Sequence, residues 1–426
     1  MKCSEVGVTC LDDPELLKAY VSDASPLRGE VPKAAFFPID ATEVAKVLKW
    51  ANKEKIAVYP FAGGTSLVGS PLPSEGVVMD LILMDYLEVF PKDKLALVGS
   101  GWKPSELNSE LREYGLWFPI DPGSYDIATI GGMIATNAGG IRAVKYGVTA
   151  DRVRALEFVT PTGEIVWSGA WSKKSSTWIR LHQLLVGSEG QFGVVTKALL
   201  ELERLPEKAE VLMIETNLEE VGDLVLKLME FEPSAVEFMD ETTVEAVNHH
   251  PSAPFKLEGN SILLVEFDDE RASEKAESIE MELNATRGEP EKLWKYRKLA
   301  GQALTYKYGK RADWDVAVPL SELSPALKFV KDRLEEGAVF GHFGDGNMHI
   351  NYLGKSVEEV IEDAKELVCE MVKRFKATVS GEHGIGLLKL PMLKCEVSDE
   401  AIEVWRKLKL ALDPNLILNP GKKIPL

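Results

Sequence analysis

Apolar positions recur at two different periods along this chain, and the change of period divides it. Ala34-Ala-Phe-Phe-Pro-Ile39 is a near-continuous apolar run. Val44, Val47, Leu48 and Ala51 then follow at helical spacing, and Ile56-Ala-Val-Tyr59 is apolar again. This predicts strand, helix, strand, with Asp40-Ala-Thr-Glu43 as a capping box at the helix start. Leu11-Asp-Asp-Pro14 marks an earlier helix start, in a lead-in that ends near residue 33. Leu156–Trp167 reads as a hairpin turned at Pro161-Thr-Gly163. Beyond Leu205-Pro206 the character changes. Strands at Ala209–Glu215 and Ser261–Phe267 alternate with acidic amphipathic helices at Leu218–Glu230 and Glu270–Leu283, the pattern of an α+β domain with an antiparallel sheet. Ser356–Lys376 predicts a further long helix. The closing Leu412–Gly421 is apolar and proline-punctuated, and is expected to pack back across the first domain.

Three glycine-rich stretches each abut an apolar strand. They are Pro60–Gly69, Thr129–Gly140 with its lead-in Phe118–Ser124, and Val186–Thr196. Glycines placed after a strand let backbone N–H groups approach a phosphate without obstruction from Cβ. The spacing matches neither a Walker loop nor G-x-G-x-x-G. One such loop alone is an ordinary tight turn; three predict a long dinucleotide lying across one domain.

The chain has 6 histidines, and three of them fall in two short stretches, Gly341–His349 and Ser380–Gly386. Asp345-Gly346 favours a two-residue hairpin, because both central positions need φ > 0. Counting outward, Gly344 faces Asn347, Phe343 faces Met348, and His342 faces His349. Residues directly opposite in this way have Cβ atoms roughly 4.5–5.5 Å apart, close enough to share a metal ion. Asn351 shares the face of His349. Glu382 offers a carboxylate and His383 a base. Two histidines and a carboxylate with a position left open form a catalytic ligand set. The plainer alternative is a pair of half-buried histidines satisfied by backbone.

Composition narrows the classes. At 426 residues the chain is long enough for two domains, and 45% hydrophobic with 27% charged residues is ordinary for a globular protein. A net charge of −18 argues against nucleic acid or an anionic bilayer as the main partner. The 4 cysteines form no C-x-x-C pair, so no zinc knuckle or iron–sulfur cluster is expected. A disulfide framework is not expected at this size, which makes a reducing compartment the default. No apolar signal core opens the chain, and Gly76–Asp85, the most apolar stretch, is interrupted by Asp80 and Asp85. The expectation is a cytoplasmic protein without a transmembrane segment, placed at the membrane only through a partner.

Together these pieces resemble a known family. Pro60–Gly69, Phe118–Ser124, Thr129–Gly140 and Gly187–Val195 are similar to the FAD-binding domain of the vanillyl-alcohol-oxidase type. Gly341–His349, Gly381–Gly386 and Asp413–Gly421 resemble its C-terminal flavin-oxidase domain. Among its members the closest group is the FAD-dependent D-2-hydroxy-acid dehydrogenases, which include D-lactate dehydrogenase and the flavin subunit of glycolate oxidase. The resemblance runs from about residue 34 to 423. It implies an α+β, two-domain flavoprotein: an FAD-binding domain at 1–205, a substrate (cap) domain with the metal site at 206–390, and a segment at 391–426 returning to the FAD domain.

The resemblance also implies chemistry. FAD would contact Gly63, Gly64, Thr65, Ser66, Pro122, Gly131, Gly132, Thr136, Gly139, Gly190 and Val195, with Asn419 approaching from the C-terminal segment. Binding is expected to be non-covalent, since the first two glycine clusters lack His and Cys. His342, His349 and Glu382 would hold a divalent metal, zinc first and iron, manganese or cobalt as alternatives. His383 would be the base. Arg297 matches the family's carboxylate-binding arginine, with Tyr308, Lys310 and Arg311 as weaker candidates. Two departures stand out. The first glycine loop reads Pro60-Phe61-Ala62, without the family's arginine. Asp313 stands where relatives acting on dicarboxylic acids carry lysine, which favours a short monocarboxylate. The implied activity is oxidation of D-lactate, or next glycolate, with electrons passed to a quinone, a cytochrome, an electron-transfer flavoprotein or an iron–sulfur subunit. The alternatives are an oxygen-using oxidase, a flavin subunit of a larger electron-transfer complex, and a metallohydrolase.

Overall fold

Buried apolar residues form separate cores in two units of the chain. The computed structural model describes residues 3–334 and 336–426. One unit comprises Met1–Gly139, Gly147–Leu205 and His383–Leu426; the other comprises Gly140–Tyr146 and Pro206–Glu382.

In the first unit, β1 (Cys10–Leu11), β2 (Ala35–Phe36), β3 (Val58–Phe61) and β4 (Val77–Asp80) form a sheet in the order β1-β2-β4-β3. Both β2 and β3 run parallel to β4, as the strand–helix–strand pattern requires. The connecting helix Ala41–Glu54 starts where expected, with the Asp40 carboxylate accepting the Glu43 N–H at 2.9 Å. Its Val44, Val47, Leu48 and Ala51 pack into one core with Phe36, Val58, Val77 and Met79. Next come β5 (Leu87–Phe90), β6 (Leu95–Gly99), β7 (Leu116–Trp117), β8 (Val153–Val159), β9 (Ile165–Gly169), β10 (Val194–Glu201) and β11 (Glu203–Arg204). The order β5-β6-β10-β8-β9 makes a second, antiparallel sheet, while β7 pairs with β11.

The C-terminal segment is built into this unit. Val58 donates to the Ile417 carbonyl at 2.7 Å and accepts from the Asn419 N–H at 2.9 Å, so Leu418 lies alongside β3. Behind it the fully buried Lys409 ammonium binds Asp413 at 2.8 Å, the Gln191 carbonyl at 2.7 Å and the Leu418 carbonyl at 2.6 Å. Desolvating an ammonium is costly, and these three acceptors offset it. The segment joins the unit at His383 rather than at 391. The reason is Glu189, whose buried carboxylate accepts Ile385 N–H at 2.7 Å, Gly386 N–H at 2.8 Å and Ser70 Oγ at 2.8 Å.

The second unit is one seven-stranded sheet covered by helices. Its strands are β12 (Glu210–Thr216), β13 (Ala235–Met239), β14 (Ser261–Phe267), β15 (Thr286–Gly288), β16 (Arg311–Ala317), β17 (Gly337–His342) and β18 (Asn347–Leu353). They run in the order β15-β12-β14-β13-β17-β18-β16, with every pairing antiparallel. The expected α+β character is therefore observed. On one face Phe238, Val339, Met348, Ile350, Trp314 and Val316 are buried. The other face carries apolar residues with a row of charged and polar side chains. The helix Val357–Phe375 begins at the Ser356 capping box and ends at Lys376 in the αL conformation, matching the predicted span.

Two expectations are corrected. Cys10, Cys369 and Cys395 are disulfide-bonded, and no described cysteine is a free thiol. The size argument bears only on whether a core needs cross-links, not on whether sulfurs lie within bonding reach. The hairpin before His349 is also not a two-residue turn. The β17–β18 register pairs Phe340, not His342, with His349. The turn is a 3₁₀ segment, Phe343–Asp345, closed by Gly346 at φ +81°. Phe343 is fully buried and stacks on Phe238 at 4.4 Å, which draws the turn inward. At Gly346 a Cβ would lie 2.0 Å from the Val318 carbonyl oxygen, so only glycine fits. Among the described residues, no helix is long and apolar enough to cross a membrane.

Candidate functional site

Alternation along four neighbouring strands sets one row of polar side chains on a single sheet face. Register pairs Glu237 of β13 with His342 of β17, and His349 and Asn351 of β18 with Asp315 and Asp313 of β16. Because β17 and β18 pair through Phe340 and His349, the two histidines are diagonal neighbours. Their rings still meet edge to face, with centroids 5.5 Å apart.

Glu382 reaches this row from the loop after the long helix. Its N–H donates to Asp315 Oδ2 at 2.6 Å, and Ser380 Oγ donates to the same carboxylate at 3.2 Å. Gly381 passes so close to Asn347 that a Cβ would lie 2.0 Å from its Nδ2. Held this way, Glu382 Oε1 lies 3.5 Å from His342 Nε2 and 3.4 Å from His349 Nε2. The three ligand atoms fall within 4.8 Å of one another. A tetrahedral ion with bonds of about 2.0–2.2 Å separates its ligands by about 3.3–3.6 Å, and the two Glu382–histidine separations suit such a cation. Burial alone would push the His342 imidazole down. The Glu237 and Glu382 carboxylates outweigh that and hold its pKa well above the ordinary value. Negative charge is therefore concentrated where a cation would sit.

Sequence reasoning missed Glu237 and Asp315. Each is a single fully buried acid within an apolar strand run, Ala235-Val-Glu-Phe-Met239 and Trp314-Asp-Val316. A charge in such a run needs a buried partner, and that was the available signal. Glu237 Oε1 lies 2.6 Å from His342 Nδ1, and its Oε2 lies 2.7 Å from Arg297 Nη2. Arg297 is itself buried, with its guanidinium carbon 4.8 Å from the Phe340 ring centre. Its Nε and Nη2 have no hydrogen-bond acceptor of good geometry. Arg311 is engaged instead, donating to Asn351 Oδ1 at 2.5 Å and pairing with Asp313 at 3.2 Å. Asn351 also donates to the His349 carbonyl, so its amide is taken up within the sheet. Lys310 is exposed beside Glu359, and Tyr308 is half-buried against the apolar core. His383 follows Glu382 directly and is half-buried.

The flavin candidates lie in the first unit, and most of them converge. Gly63 sits against the Ile127 carbonyl, where a Cβ would come within 2.3 Å, and Gly132 faces Ala62. The helix Ile130–Thr136 is capped by Thr129 and holds Gly131, Gly132 and Thr136. Glu189 N–H donates to the Ala135 carbonyl, and Gly190 packs on Pro60. Asn419 Nδ2 donates to the carbonyls of Ser70 and Glu189, tying in the C-terminal segment. Val195 joins the core beside Met133 and Ile134. Gly139 closes the first segment of the unit, while Pro122 accepts from Tyr125 N–H in its own turn. Among the described residues, the N–H groups of Gly63, Gly64, Thr65 and Ser66 have no acceptor, and Asn419 Oδ1 is buried without a donor. Clustered free N–H groups beside glycines fit a pyrophosphate.

Solved structures with this fold are an alkyldihydroxyacetonephosphate synthase (TM-score 0.77, 20% identity, 97% of this chain and 82% of that one) and p-cresol methylhydroxylase (0.74, 19%, 97% and 93%). The fold is thus that of the two-domain flavoproteins of the vanillyl-alcohol-oxidase type. The chain belongs to the FAD-linked oxidases, whose C-terminal domain matches residues 205–423 and is preceded by an FAD-binding domain at 32–169. Relatives include a mitochondrial D-lactate dehydrogenase [cytochrome] of Arabidopsis thaliana, 35% identical over 93% of this chain and 74% of its own length. Glycolate oxidase subunit GlcD of Bacillus subtilis is 32% identical over 95% and 91%, and D-2-hydroxyglutarate dehydrogenase of Stutzerimonas stutzeri 28% over 97% and 95%.

Proposed function

We propose that this protein oxidises a short D-2-hydroxy acid, D-lactate first and glycolate next, to the 2-oxo acid. Arg297 holds the substrate carboxylate, since a buried guanidinium with spare donors suits a planar anion. His342, His349 and Glu382 would hold a divalent metal, zinc first, that steadies charge developing on the substrate oxygen. His383 takes the hydroxyl proton, as imidazole has a pKa suited to the task. Non-covalent FAD, held by the glycine loops, supplies the acceptor for the hydride leaving Cα. Electrons would then pass to an external acceptor, a quinone or a protein partner; the cytochrome and subunit in the relatives' names support a protein.

The observation that carries this reading is the convergence of three donor atoms, with Glu382 Oε1 3.5 and 3.4 Å from the two histidine nitrogens and a buried arginine paired to Glu237 of the same row. The relatives named for D-2-hydroxyglutarate favour a competing, dicarboxylic substrate. Asp313 weighs against it: its carboxylate lies 3.7 Å from His349 Nδ1.

The test is an anaerobic absorbance titration with D-lactate, L-lactate, glycolate and D-2-hydroxyglutarate, before and after chelation. Flavin bleaching by D-lactate that is lost on chelation is expected. A flavin that no 2-hydroxy acid bleaches would overturn the substrate class, and a protein that cannot be reconstituted with FAD would overturn the activity altogether.

A further inference from the structure

Glu237 touches both halves of the chemistry proposed above, and this inference rests on that proposal. Its two oxygens have different partners: Oε1 lies 2.6 Å from His342 Nδ1, and Oε2 lies 2.7 Å from Arg297 Nη2. All three side chains are buried or nearly so, with Glu237 inaccessible to solvent. An ionised carboxylate only accepts, so Nδ1 of His342 donates to it. That leaves Nε2 as the nitrogen facing Glu382, 3.5 Å from its Oε1, where a cation can take the place of a proton. Arg297 sits at the far oxygen, off the line of a good hydrogen bond. Its guanidinium is thus kept in place by charge while its donors are not used up.

We infer that Glu237 is a positioning residue that couples metal binding to carboxylate binding. A divalent cation on Nε2 puts two positive charges beside the imidazole where a proton puts one, which draws the Glu237 charge toward His342. Arg297 is then less strongly held and more available to an incoming carboxylate. Coupling of this kind is reciprocal, so a bound carboxylate must tighten the metal by the same factor. Partners of metal-ligating histidines commonly change metal affinity by about 10–100-fold when altered.

The experiment measures zinc affinity of the flavin-loaded protein by competition with a chromogenic chelator, with and without propanoate. Propanoate carries the carboxylate but has no hydroxyl to ligate the metal. The wild type is expected to bind zinc severalfold tighter with propanoate present. Glu237→Gln is expected to weaken zinc at least tenfold and to abolish the propanoate effect. Glu237→Asp, which keeps the charge but withdraws it by one methylene, is expected to fall between. It provides the same comparison if the Gln variant fails to fold, as flavin content and melting would reveal. A wild type that binds zinc, together with a Gln variant that binds it within twofold and keeps the propanoate effect, overturns the coupling alone. A wild type that takes up no zinc overturns the metal reading, and the coupling with it.

Discussion

Gly140–Tyr146 belongs to the second unit, although the chain on both sides of it belongs to the first. Ion pairing explains why. Arg142 Nε and Nη2 grip Glu266 bidentately at 2.7 and 2.8 Å, and Tyr146 Oη and Lys145 Nζ bind Asp268 at 2.7 and 2.5 Å. Glu266 is 1% exposed. Among the described residues, replacing Arg142 with methionine would leave that carboxylate two neutral donors, Trp294 Nε1 at 2.8 Å and Ser234 Oγ at 2.9 Å. Removing one partner of a buried pair costs about 3–5 kcal/mol. Arg142 is itself 21% exposed, which favours the lower end. For a unit of this size each kcal/mol moves the midpoint by about 2–4 °C, so Arg142→Met should lower the melting temperature of the second unit by about 6–12 °C. Adding Glu266→Gln should recover much of the loss, because the stranded charge is then gone. Calorimetry of both variants tests this. A single variant melting within about 2 °C of wild type, or a double variant worse than the sum of its parts, would refute the claim that this pair anchors the segment.

Other expectations follow from the same contacts. Gly381→Ala would place a Cβ 2.0 Å from Asn347 Nδ2 and 3.4 Å from Asp315 Oδ2, pushing the Glu382 loop off the sheet. Zinc content by mass spectrometry should fall at least tenfold while flavin content is unchanged; retained zinc would show that the loop has slack. Burial pushes the Lys422 ammonium down to about 7, against an unfolded value of about 10.4. The unfolded chain therefore binds more protons between these values, and this group makes stability rise as pH climbs from about 7 to 10. Denaturant midpoints of Lys422→Met should show a flatter rise over that window, and parallel curves would contradict the assignment. Non-reducing peptide mapping should find Cys10, Cys369 and Cys395 in cross-linked peptides, and alkylation of any of them before reduction would argue against the bonding.

What could be read in the sequence depended on the range of the forces involved. The helices at Ala41–Glu54 and Val357–Phe375 were legible because caps and a 3.6-residue period act within a few residues. His342, His349 and Glu382 were picked out as one set by residue type, and they do meet, but not through the predicted register. Local turn chemistry favoured Asp345-Gly346. Burial of Phe343 against Phe238, more than a hundred residues away, shifted the pairing to Phe340–His349. The set survives this shift because His342 and Phe340 are two residues apart and so share a face. Arg297 was singled out by resemblance, yet the residue it pairs with, Glu237, was invisible. A lone acid in an apolar strand announces that it has a partner without saying which one. Only the sheet order, which sets β13 beside β17, brings that acid to His342 and leaves its second oxygen for Arg297. His342, His349, Glu382 and Arg297, which arose as separate readings of the chain, are thus joined through Glu237 in one connected charge network, and altering any member should be felt at the others.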